Sequence, residues 1–135
     1  MNNMLNIVMY HYVRDLSRSR YPNIKGLKTS EFITQIEYLE SLNCKFISPQ
    51  DMVDAIDGKK ELQEKSVLLT FDDGYIDHYT KVYPILRDRN IPAFFSIPGK
   101  ILAEHKLLDV NKIHFILAST PIDMQLESVF ERLDH

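Results

Sequence analysis

Ser66-Val67-Leu68-Leu69-Thr70-Phe71-Asp72-Asp73-Gly74 is the stretch whose reading decides the fold. Val67 to Phe71 form an apolar, β-rich run without alternation, which reads as a strand buried on both faces, as in a parallel sheet or barrel. The run ends in two adjacent carboxylates and a glycine. In α/β folds the carboxyl ends of buried strands are where loops meet and ligands sit. Two like charges side by side cost energy unless a cation, a proton or hydrogen-bond donors offset them. Gly74 permits a sharp exit from the strand. The stretch is therefore either an acidic turn capping a core strand or the floor of a site.

Working outward, Leu5 to Tyr10 reads as a first buried strand with His11 at its carboxyl end. Residues 14–29 carry Pro22 and Gly26 and no period, which predicts a long loop. Its Arg14, Arg18, Arg20, Lys25 and Lys28 either meet an anionic group or are solvated. Thr29 or Ser30 caps a predicted helix to Asn43, with Phe32, Ile36 and Leu39 on its apolar stripe. Lys45 to Ile47 is a short strand. Ser48-Pro49-Gln50-Asp51 has the form of a capping box with proline at the first helical position, and that helix ends at Gly58. After Gly74 a helical period runs to about Arg89, with a kink or two short helices expected at Pro84. Pro92 to Ile97 reads as a fourth strand, and helices follow over 113–118 and from Thr120-Pro121 onward.

Strand and helix alternate, which argues for a parallel sheet with crossover helices. Four parallel strands do not close a barrel, and a closed β/α barrel takes about 200 residues or more. The 135-residue chain is therefore expected to be α/β, the N-terminal part of an incomplete barrel, with residues 1–99 as its strand–helix units and 100–135 as a helical insert or tail. An open edge of such strands invites self-association.

A hydrophobic content of 44% and a charged content of 26% are ordinary for a globular protein. With a net charge of −3 and no lysine/arginine stripe, the chain offers no field for a phosphate backbone, so no nucleic-acid partner is expected. Cys44 is alone in an apolar run and reads as a small buried residue. The N-terminus lacks a basic region and no stretch is long enough to span a membrane, so a cytoplasmic location is expected.

Thr70-Phe71-Asp72-Asp73-Gly74, with Tyr75 after it, resembles the first signature motif of the polysaccharide deacetylase (NodB-homology) family. Pro84-Ile85-Leu86, Ile91-Pro92-Ala93-Phe94-Phe95 and the N-terminal Met9-Tyr10-His11 are similar to that family in type and spacing. The resemblance covers roughly residues 5 to 98. It implies a metal-dependent hydrolase removing acetyl groups from an N-acetylated or O-acetylated sugar or polysaccharide. The family's first aspartate is its catalytic base and the second a metal ligand, which places the base at Asp72 and the ligand at Asp73. A divalent cation, usually zinc, acidifies a bound water and polarises the acyl oxygen, while the neighbouring carboxylate takes the water's proton.

The chain departs from the family at its second motif, His-x-x-x-His. No two of His11, His78, His105, His114 and His135 have that spacing, whereas a catalytic zinc takes about three protein ligands. An incomplete site is expected, with weak metal binding and no turnover by this chain alone. His11 shares the strand-end edge with Asp72 and either lines the site or makes a structural hydrogen bond. His78 is read as a surface or packing residue, and Tyr75 either stacks on a sugar ring or packs. Two other functions stay open: a non-catalytic remnant that binds glycan or a partner, and a magnesium-dependent phosphohydrolase, against which the adjacency of the two aspartates argues.

Overall fold

The computed structural model describes residues 4–21 and 23–133, so Pro22 and His135 lie outside it. The elements run β1 (Met4–Tyr10), α1 (Thr29–Ser41), β2 (Lys45–Phe46), α2 (Pro49–Ile56), β3 (Lys65–Phe71), α3 (Tyr83–Asp88), β4 (Phe94–Phe95), α4 (Gly99–Glu104), α5 (Asp109–Ser119) and α6 (Ile122–Leu133). They fall into two compact units. The first comprises residues up to Arg14 together with Gly26–Pro98, and the second Asp15–Lys25 with Gly99 onward.

The first unit is an open parallel sheet with helices. β3 is its centre, and β1 runs beside it over its whole length, from Met4 opposite Lys65 to Tyr10 opposite Phe71. On its other side β2 pairs at Ser66 and Val67 and β4 at Thr70 and Phe71. Every pair is parallel, as the strand–helix alternation requires.

Burial explains why β3 is central. Val67, Leu69 and Phe71 pack with Phe32 and Ile36 of α1 and with Val82, Leu86 and Ile91, while Ser66 and Leu68 on the opposite face are buried as well. The core is aromatic at the carboxyl end of the sheet. The Phe71 ring lies near-parallel to Tyr10 at 5.1 Å and to Phe95 at 4.9 Å, with Phe32 edge-on to Tyr10 at 5.2 Å. Such pairs add to area burial because ring edges and faces carry opposite partial charge.

Three expectations are corrected. β1 is not buried on both faces: Val8 and Tyr10 pack on the core, but Ile7 and Met9 are exposed, since β1 is an edge strand with its apolar partners on one side. The fourth strand is two residues rather than six, though the Ser96 amide donating to the Phe71 carbonyl (2.8 Å) carries the pairing one step further. Neither Thr29 nor Ser30 caps α1. Lys28 occupies that position and its amide donates to the Glu31 carboxylate at 3.0 Å. The long loop expected from residue 14 onward is there, tied at its two ends, where the amides of Leu27 and Arg14 donate to the carbonyls of Tyr12 and Leu27 (3.0 and 2.9 Å).

The capping box at α2 forms as its residues require. Asp51 N–H donates to Ser48 Oγ at 3.1 Å and Ser48 N–H to Asp51 Oδ2 at 2.8 Å, with Pro49 at the start of the helix. The interruption expected near Pro84 is a π-turn, His78–Val82, leading directly into α3. Proline has no N–H to continue an α-helical ladder, and the Tyr83 amide, one residue before it, reaches back to His78.

The second unit holds a 3-10 turn at Leu16–Arg18 and helices α4 to α6. The helix expected over 113–118 is the carboxyl half of α5. Tyr21 meets the Phe115 ring at 4.8 Å, and Asn23 Nδ2 donates to the Ala118 carbonyl at 3.3 Å. Among the described residues no helix is long and apolar enough to cross a membrane.

Candidate active site

The site is built on the end of β3. The Asp72 amide donates to the Tyr10 carbonyl at 3.0 Å, extending the β1–β3 ladder one residue past the strand. Asp72 is thereby held in line with the sheet. Asp73 (φ 71°) and Gly74 (φ 64°) then both adopt the left-handed conformation and turn the chain away. Aspartate tolerates that region better than most side chains, and glycine does so without strain. Gly74 is needed for a second reason: a Cβ there would sit 3.0 Å from Ile97 Cγ2, so the turn rests on the segment after β4. Both carboxylates are partly exposed.

The Asp73 carboxylate has a side-chain partner. Tyr75 Oη donates to Asp73 Oδ2 at 2.7 Å. Burial pushes the Tyr75 phenol well above its ordinary value, and its hydrogen bonds with Tyr12 and Asp73 push the same way. The Tyr75 ring stacks on Tyr12 with centroids 4.2 Å apart. The Arg14 guanidinium lies 4.7 Å from the Tyr12 centroid and 5.5 Å from that of Tyr75. Arg14 Nε donates to Asp77 Oδ2 at 2.5 Å, and both side chains are largely buried.

His78 is a packing residue and sits in the core, at 4% exposure. Its Nε2 is 2.6 Å from the His11 carbonyl oxygen, and since that oxygen only accepts, Nε2 carries the proton. Its ring meets Phe71 at 5.4 Å and Tyr75 at 5.7 Å, and Nδ1 is buried without a partner among the described residues. His11 stands one residue past Tyr10, which pairs with Phe71, and so beside Asp72 at the sheet's carboxyl edge, with an exposed side chain. An apolar pocket of about 270 Å³ opens next to Gly74, between Tyr75, Ile76 and Tyr79 on one side and Phe95 and Ile97 on the other.

The structure thus gathers Asp72, Asp73, Tyr75 and His11 at one edge. His105 and His114 belong to the helical unit. Among the described residues no three His, Cys, Asp or Glu side chains converge on a point where a metal ion could sit. A catalytic zinc takes about three protein ligands, so these residues alone do not fit one.

Sequence reasoning passed over Tyr12 and Asp77 and left Arg14 among five loop cations. Arg14 and Asp77 are 63 residues apart, and no periodicity links them. The readable signal is the alternation of Tyr12 and Arg14 about a buried Val13, which puts both side chains on one face of an extended segment.

Residues 59–122 match the family model described as polysaccharide deacetylase. The chain is 34% identical over 92 residues to the poly-beta-1,6-N-acetyl-D-glucosamine N-deacetylase of Escherichia coli strain K12, covering 68% of this chain and 13% of that protein. It is 30% identical over 113 residues to the enzyme of the same name from Staphylococcus aureus strain MSSA476, covering 82% of this chain and 37% of that one. The solved structure of IcaB from Ammonifex degensii superposes with a TM-score of 0.61 at 36% identity, over 73% of this chain and 40% of that one. The chain spans well under half the length of each of these proteins. With the Thr70–Gly74 motif inside the matched segment and its strand at the centre of the sheet, the chain belongs to the polysaccharide deacetylase family.

Proposed function

We propose that this chain supplies the acid-pair half of a metal-dependent deacetylase acting on an N-acetylated polysaccharide. The observation that supports it most directly is the placement of Asp72 and Asp73 at the carboxyl end of the central strand, Asp72 held through its backbone amide and Asp73 bonded through its carboxylate. Asp72 is the base: its carboxylate takes a proton from the attacking water as the oxygen adds to the acetyl carbonyl carbon. The carbon–nitrogen bond then breaks as the nitrogen takes up the proton that Asp72 received from the water, so that acetate and a free sugar amine are released. N-acetyl is preferred over O-acetyl because the relatives just named are N-deacetylases. Asp73 is the metal ligand in this proposal. One carboxylate does not make a zinc site, so the remaining ligands come from outside the described residues.

The test is release of free amine and acetate from N-acetylglucosamine oligomers by the protein at its native length. Asp72→Asn should lower the rate by about 10²–10⁴-fold, the range typical of a general base. Retention of the parent rate would remove Asp72 from the chemistry. A second reading, a non-catalytic glycan-binding chain, is favoured by the lack of a metal-sized donor cluster among the described residues. Saturable oligosaccharide binding with no amine release would support it.

A further inference from the structure

We infer that Tyr75 is the positioning residue for Asp73, and that Arg14, locked by Asp77, holds Tyr75 to that task. The inference rests on Asp73 being a working carboxylate of the proposed site. Asp73 stands on a left-handed turn, one residue beyond the last ladder bond at Asp72, so the sheet does not orient its side chain. A short bond from the Tyr75 hydroxyl does so: Tyr75 Oη donates to Asp73 Oδ2 at 2.7 Å. An ionised carboxylate only accepts, so the phenol donates, and the charge on the acceptor strengthens the bond.

A positioning group works only if it is itself held. The Tyr75 ring is stacked on Tyr12 at 4.2 Å, and the Arg14 guanidinium lies over both rings. Tyr12 and Arg14 are two residues apart on an extended segment and present the same face, while Val13 between them is fully buried. That segment is pinned by backbone bonds to Leu27 at 2.9 and 3.0 Å. Arg14 is pinned again by Asp77, four residues after Asp73, through a largely buried ion pair. Burial keeps solvent from screening that pair, so it holds its geometry better than a surface contact. The line of support therefore runs from Leu27 through Arg14 and Tyr12 to Tyr75 and ends on Asp73.

Tyr75→Phe tests this, because it keeps the ring and its stacking and removes only the hydroxyl. In the native-length protein it should lower kcat for amine release by about ten- to a hundredfold, the scale of a slightly misplaced reacting group. KM should stay within about twofold and the unfolding temperature within a few degrees of the parent. In the Asp73→Ala background the same substitution should cost nothing further, since Tyr75 acts through Asp73. An unchanged kcat in Tyr75→Phe, or a full additional loss in the double variant, overturns the inference. A measurement independent of turnover separates it from the proposed function. The Tyr75 hydroxyl proton should give an exchange-protected NMR resonance that disappears in Asp73→Ala. Finding that resonance in a protein without deacetylase activity would sink the proposed function and leave the contact standing; failing to find it in the parent overturns the positioning role itself.

Discussion

His78 reaches the backbone of His11 rather than its ring: Nε2 of His78 donates to the His11 carbonyl over 2.6 Å from within the core. The bond ties the π-turn to the end of β1, one residue beyond the Tyr10 carbonyl that holds Asp72. Replacing His78 by leucine removes the donor and leaves that carbonyl short of a partner, at a cost of about 1–3 kcal/mol. His78→Gln keeps an N–H donor and should recover part of the loss. Urea unfolding of the two variants against the parent decides it, and equal stabilities for both would show that the ring matters only as volume.

Gly74→Ala tests the turn. At φ 64° an alanine meets the left-handed penalty of about 1–2 kcal/mol, and its Cβ would also press on Ile97 at 3.0 Å. Ile97 is half-exposed and able to move. Adding Ile97→Ala should therefore recover only the contact part of the loss, leaving the backbone part. Full recovery in the double variant would mean that the backbone conformation there is not costly.

Asp51 sets an acid limb of stability. A hydrogen bond from Lys60, then those from the Ser48 backbone and side chain, hold its carboxyl well below the ordinary aspartate value of 3.8. A depressed folded-state pKa contributes stability above the unfolded value and loses it as pH falls towards the folded one. Unfolding temperature should therefore decline as pH drops below about 4, and Asp51→Asn should flatten that decline while lowering stability at neutral pH. An identical acid limb in the variant would place the effect on other carboxylates.

How much of this could be read from sequence follows from how local each cause is. The capping box at Ser48 and the burial of Val67, Leu68, Leu69 and Phe71 are written in neighbouring residues, and both formed as expected. The parallel sheet followed from alternation alone. The exposure of Ile7 and Met9 did not, because it depends on which strand lies at an edge, a property of the assembled sheet. At the site, the acid pair and Gly74 were legible because strand end, charge and turn are contiguous. Arg14–Asp77 and His78–His11 join residues more than 60 positions apart, so only the fold reveals them.

Phe71 is where core and site meet, and its truncation should register in both. The ring is fully buried between Tyr10 and Phe95 and directly precedes Asp72. Phe71→Ala deletes a buried aromatic and leaves a cavity, a cost of about 3–5 kcal/mol, a large share of the roughly 5–15 kcal/mol that stabilises a typical domain. Phe71→Leu retains more of the volume and should cost less, yet it loses both near-parallel ring contacts. Denaturant unfolding gives the stability ranking, expected as parent, then leucine, then alanine. Amide exchange at Asp72 gives the local consequence. Its N–H, bonded to the Tyr10 carbonyl, should exchange faster in the leucine variant by more than the change in global stability accounts for, because Tyr10 loses the ring it stacks on. Exchange that rises only in step with global unfolding would show that the backbone ladder holds Asp72 without help from the aromatic stack.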